Sequence, residues 1–126
     1  MKMIFILLIL TILIIACNSS NNCEDFRTGK FTYTVMDSNW VVERNDSLQT
    51  EYCEELGVNM ELKISWINQC TYMLKFNRFL QNEAGFPSNE KHVVHSTIIS
   101  SGKDHFITLS EIKGTGSNKY KFTRIK

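Results

Sequence analysis

The sequence predicts an all-β domain: an antiparallel meander of about eight strands that forms a small barrel or a strongly curved sheet. Three observations carry this. Met60, Leu62, Ile64 and Trp66 alternate strictly with Glu61, Lys63 and Ser65, the period of a half-buried strand. Runs rich in β-branched and aromatic residues recur between turn-forming clusters such as Asp37-Ser38-Asn39 and Asn68-Gln69. The connections are also short, whereas parallel neighbours need crossovers of a dozen residues or more.

Taken in order, Phe31, Tyr33 and Val35 alternate with Lys30, Thr32 and Thr34 in the first strand. Strand-like runs follow at 40–44 and 48–53, divided by Asn45-Asp46. After the 60–66 strand and its turn, Tyr72, Leu74 and Phe76 alternate with Met73 and Lys75. The last three runs are 92–100, 105–112 and 119–125, separated by Ser101-Gly102-Lys103-Asp104 and by the cluster Gly114-Thr115-Gly116-Ser117-Asn118. The one long connection, 78–91, holds the only proline, Pro87, and its segment 79–84 reads as one or two helical turns. Trp40, Phe106, Tyr120 and Phe122 join the inward residues of the alternating strands as the expected interior. In a small eight-stranded barrel such side chains fill the inside or leave room for one small ligand, and a filled core is the commoner outcome.

Ahead of this domain stands an address. Lys2 provides a basic start, residues 3–16 an apolar run of 14, and Ala16 a small residue directly before Cys17. This is the pattern of a bacterial lipoprotein signal. The run is shorter than the roughly 20 residues a transmembrane helix needs, so cleavage is expected, leaving Cys17 as an acylated first residue. Two or three acyl chains hold a protein at a membrane where one binds reversibly. Asn18-Ser19-Ser20-Asn21-Asn22 contains nothing apolar to pack and reads as a flexible tether. The expected organisation is a signal peptide at 1–16, a tether with lipidated Cys17 at 17–22, and a single β domain at 23–126. The location is the cell envelope, and because Asn18 is not an aspartate, the periplasmic side of the outer membrane is preferred.

Composition excludes several partners. The whole chain has 14 basic and 13 acidic residues, and only Lys2 is lost with the signal, so the mature chain is formally neutral. That balance carries no footprint for nucleic acid. Cys23, Cys53 and Cys70 remain, an odd number in a compartment that permits disulfides. Loop entropy alone separates the pairings of Cys70 with Cys23 or Cys53 by only about 1 kcal/mol and does not choose between them. No Cys-x-x-Cys or Cys/His spacing suggests zinc.

The remaining chemistry-bearing residues have ordinary readings. His92 and His95 point to opposite faces of a strand and cannot share an ion, and His105 follows Asp104 at a turn. Ser96 or Ser110 with a histidine and Asp104 makes a triad only on paper, since no Gly-x-Ser-x-Gly elbow presents either serine. Gly114-Thr115-Gly116 precedes a strand rather than the helix a phosphate cradle needs. Glu51, Glu54 and Glu55 near Cys53 lack calcium-loop spacing and read as a solvated edge. Lys119 and Lys121 alternate with Tyr120 and Phe122, whereas Arg124 shares the face of those two aromatics and is placed for cation–π packing.

Gly29-Lys30-Phe31 together with Arg124 resembles the two ends of a lipocalin-like barrel, in which a Gly-x-Trp opens the first strand and a late basic side chain packs over it. Phe31 stands where that family has tryptophan. The resemblance implies that Phe31 and Arg124 pack together. Cys23-Glu24-Asp25-Phe26-Arg27-Thr28-Gly29-Lys30-Phe31, Glu43-Arg44-Asn45-Asp46-Ser47 and Ser65-Trp66-Ile67-Asn68-Gln69-Cys70-Thr71-Tyr72 resemble a group of short uncharacterised lipoproteins of Bacteroidetes-type bacteria. Some of that group carry a topoisomerase name, which a short, neutral chain with an export signal does not support. The second resemblance implies a Cys23–Cys70 disulfide with Cys53 left as the odd thiol. Together these readings make the chain a membrane-anchored, monomeric, non-catalytic module that binds a small apolar ligand or an envelope protein, with no cofactor, metal or nucleic acid. A purely structural lipoprotein with a filled core is the alternative, and an enzyme of unknown type comes third.

Overall fold

The computed structural model describes residues 22–88 and 91–126. The expected signal peptide at 1–16, the expected lipidation site Cys17 and all of the expected tether except Asn22 lie outside the described residues. A short 3-10 helix, Cys23–Phe26, precedes eight strands: β1 (Gly29–Val35), β2 (Ser38–Arg44), β3 (Leu48–Cys53), β4 (Val58–Trp66), β5 (Thr71–Asn82), β6 (Val93–Ser101), β7 (His105–Ile112) and β8 (Gly116–Arg124). Each pairs antiparallel with its successor, and β8 returns to β1 through Phe31↔Arg124 and Thr32↔Thr123, so the meander is a closed barrel. Closure removes the free edges that an open sheet would present.

Local sequence explains the turns. Asn45 Oδ1 accepts from the backbone N–H groups of Ser47 and Leu48, and Asn68 Oδ1 from those of Cys70 and Thr71. Both asparagines thereby hold turns at the same end of the barrel. The β1–β2 turn uses left-handed backbone at Met36 and Asp37, with φ of 50° and 64°.

Of the segment 79–84, expected to form helical turns, residues 79–82 are strand and 83–84 a turn. β5 runs on to Asn82 because β4 offers it partners the whole way, through Met60↔Phe79, Asn59↔Gln81 and Val58↔Asn82. Register shifts at Asn59/Met60 and Glu61/Leu62 accommodate the extra residues, and such bulges bend a sheet and tighten its twist. Ladder bonding here overrides local helix preference, and the connection to β6 shrinks to residues 83–92. The β8 strand also begins earlier than expected, at Gly116 inside the glycine cluster.

The 3-10 helix closes one end. Phe26 is 1 % exposed, with its ring centroid 4.9 Å from that of Phe106, which stacks on Phe122 at 4.8 Å and meets Phe31 edge-on at 5.2 Å. Aromatic pairs of this kind contribute about 0.5–1.5 kcal/mol each beyond their buried area. The Arg124 guanidinium lies 4.9 Å from the Phe31 ring and 5.4 Å from that of Phe26, and it donates to the carbonyls of Asp25 and Thr28. Gly29 makes room for it, since a Cβ there would run into Arg124 Nη1. A Cys23–Cys70 disulfide ties the helix to the β4–β5 turn, and Cys53 is a free, fully buried thiol.

Among the described residues no helix is long and apolar enough to cross a membrane. Every residue expected in the interior is buried or packed against a buried cluster.

The disulfide closes a loop with a sequence separation of 47. The double variant Cys23→Ser/Cys70→Ser is expected to lose about 4 kcal/mol of unfolding free energy in urea denaturation. A loss below ~1 kcal/mol would show that the aromatic and Arg124 contacts hold the plug without it.

Candidate functional site

Alternation along each strand decides which side chains enter the barrel, and it carries several polar ones inward with the aromatics. On β2 the inward series is Trp40, Val42, Arg44, and on β3 it is Gln49, Glu51, Cys53, all six buried. Register sets Arg44 opposite Gln49 and Val42 opposite Glu51. Glu51 is therefore no part of a solvated edge. It is 8 % exposed inside the barrel, while Glu54 and Glu55 remain at the surface. The acidic cluster read from the sequence is split because period-2 geometry sends Glu51 inward and the following turn carries the other two outward.

Arg44, 3 % exposed, makes three hydrogen bonds: Nε to Gln49 Oε1 at 2.9 Å, Nη1 to the Phe26 carbonyl at 3.0 Å and Nη2 to Tyr72 Oη at 3.1 Å. Its guanidinium also sits 4.5 Å from the Tyr72 ring centroid and 5.6 Å from that of Phe106. Gln49 passes the polarity onward, accepting from Arg44 and donating Nε2 to Glu51 Oε1 at 3.0 Å. Tyr33 Oη donates to the same Glu51 oxygen at 3.4 Å. A buried cation and a buried carboxyl group are thus joined through one amide. Burial raises the Glu51 carboxyl above its usual range, against the lowering pull of the Gln49 bond, Arg44 and Tyr33. Burial, and then the nearby Glu51, hold the Tyr33 phenol well above its ordinary value, so it stays a neutral donor.

Above this polar floor the barrel is hollow. A cavity of about 330 Å³ opens toward the end away from the 3-10 helix. The commoner outcome for so small a barrel, a filled core, is not what these residues build. Gln49, Glu51, Tyr33 and Tyr72 form the floor, while Trp40, Met60, Phe76, Val94, Ile112 and Tyr120 contribute apolar wall. Ser96 and Ser110 face each other across the β6–β7 pair with their hydroxyls 2.7 Å apart, and Thr108 Oγ1 lies 3.2 Å from Ser110 Oγ.

His92, just before β6, lines the mouth, whereas His95 is exposed on the outer face. His105 begins β7 at the closed end, with Asp104 in the turn before it. The residues of the paper triad therefore do not assemble: the two serines meet inside, but Asp104 lies at the opposite end of the barrel from His92. Among the described residues no three His, Cys, Asp or Glu side chains are grouped to hold a metal ion.

The sequence reading passed over Arg44 and Gln49 and placed Glu51 on a solvated edge. Their signal was present: all three keep the inward phase of the strands around them, as Trp40 and Cys53 do.

Arg44→Met leaves the Phe26 carbonyl, Gln49 Oε1 and Tyr72 Oη without their shared donor, and each buried polar group left unpaired costs about 1–3 kcal/mol. A loss of about 3 kcal/mol or more is expected in urea unfolding. For Glu51 the folded state holds a proton that the unfolded carboxyl releases around pH 4.5, so this group favours folding at low pH and that contribution disappears as pH rises through the folded pKa. Glu51→Gln removes the dependence: its melting temperature minus that of the wild type should increase from pH 4.5 upward, and a flat difference would refute the assignment.

The chain matches no family model, no curated protein and no solved structure, so its functional reading rests on the barrel's own geometry.

Proposed function

We propose that this chain is a lipid-anchored binding module of the cell envelope whose barrel holds one small, largely apolar ligand. The observation that carries the reading is the cavity of about 330 Å³, at the small end of the range for ligand pockets, lined by aromatic and aliphatic side chains with a few convergent polar groups. A purely structural role gives no account of this space, because close packing is the ordinary state of a protein interior. The lipoprotein signal ending at Cys17 supports the location. Five residues lie between Cys17 and Cys23, so the two are at most about 20 Å apart along an extended chain. This stretch attaches at the closed end, and so the anchored barrel presents its mouth away from the attachment point.

One measurement tests both halves of the proposal. Native mass spectrometry of the protein extracted from its own membranes is expected to show a chain starting at Cys17 with acyl additions, together with a small molecule that leaves on collisional activation. An unlipidated chain retaining residues 1–16 would sink the anchor. Repeated recovery of the protein with nothing bound would sink the ligand.

A further inference from the structure

Resting on the cavity as a ligand site, we propose that the ligand is an organic ammonium ion with an apolar body, its charged nitrogen seated against Glu51. Glu51 lines the cavity floor although it is 8 % exposed. Its Oε1 takes the hydrogen bonds of both Gln49 and Tyr33, and no described residue donates to Oε2. A buried carboxyl with one oxygen unpaired and facing a cavity is incomplete in the sense that a cationic donor would complete it.

The distribution of charge excludes the opposite sign. Among the described residues no lysine or arginine lines the cavity. Arg44 lies beneath the floor with Nε, Nη1 and Nη2 all engaged by Gln49, Phe26 and Tyr72, so a ligand carboxylate would meet Glu51 rather than a cation. His92 also lines the cavity, but at its mouth, away from the floor. A neutral alcohol can donate to Oε2 but brings no charge to it, and a ligand without a donor leaves it unpaired. The walls favour a cation as well, since Tyr33, Trp40, Phe76 and Tyr120 bring aromatic rings to the same space and ring faces attract a desolvated ammonium. The small volume limits the body to something on the scale of one aromatic ring with a short chain.

The test uses three probes of matched shape, 2-phenylethylamine, 2-phenylethanol and 3-phenylpropionate. Each is titrated calorimetrically at pH 7 into the full chain in phosphatidylcholine nanodiscs, with empty nanodiscs subtracted. The amine should bind at least tenfold more tightly than the alcohol, and the acid most weakly. Glu51→Gln should erase the preference of amine over alcohol; should that variant not fold, the wild-type ranking decides. Equal affinity for amine and alcohol overturns the charge assignment while leaving the cavity as a ligand site, and tightest binding of the acid overturns it in the same way. If none of the three binds, the ammonium inference and the ligand-site reading fall together.

Discussion

A guanidinium buried inside a barrel of this size constrains nearly everything around it. Arg44 is held at 3 % exposure by partners from three separate places, the carbonyl of Phe26 in the 3-10 helix, Gln49 on β3 and Tyr72 on β5. An uncompensated charge in such surroundings costs several kcal/mol. Each partner is therefore tied to its place: the helix must cap the end so that its carbonyl points inward, β3 must keep the register that puts Gln49 across from Arg44, and Tyr72 must turn its hydroxyl down from the wall. Aromatic faces complete the enclosure.

The polarity of the floor follows from that one cation. Gln49 has two ends, and having given its oxygen to Arg44 it presents its amide to Glu51. The carboxyl is then oriented by two donors on one oxygen and by none on the other. The asymmetry of the barrel also follows. At the closed end Phe26, Phe31, Phe106 and Phe122 pack ring against ring under Arg124, and the disulfide clamps the cap. At the other end Trp40, Phe76, Ile112 and Tyr120 line the wall and His92, Thr115 and Gly116 the mouth around an open space. One end is closed by packed rings and the other holds the cavity.

Much of this was legible along the chain. Strict alternation over 60–66 and at Phe31, Tyr33 and Val35 identifies inward faces from a period that any pleated strand imposes, and the turn asparagines at 45 and 68 act through bonds to backbone only two or three residues away. Local causes are readable locally. Phe79 to Ala84 misled because its helical propensity is local while its pairing with Val58 to Met60 is not. The acidic residues near Cys53 misled for a related reason: a charged side chain at an inward position looks like a surface group until the cation that compensates it, seven positions earlier in sequence, is placed opposite the adjacent glutamine.

By itself, then, the sequence determined the class of structure, an antiparallel β domain, because strand period and turn chemistry each reside in a few consecutive residues. Only the tertiary structure decided that β8 closes on β1, that Arg44, Gln49 and Glu51 form one chain of hydrogen bonds, and that a cavity lies above them. Closure, partner choice for buried charge and unfilled volume are properties of residues distant in sequence that meet in space. No window along the chain contains both sides of such a contact.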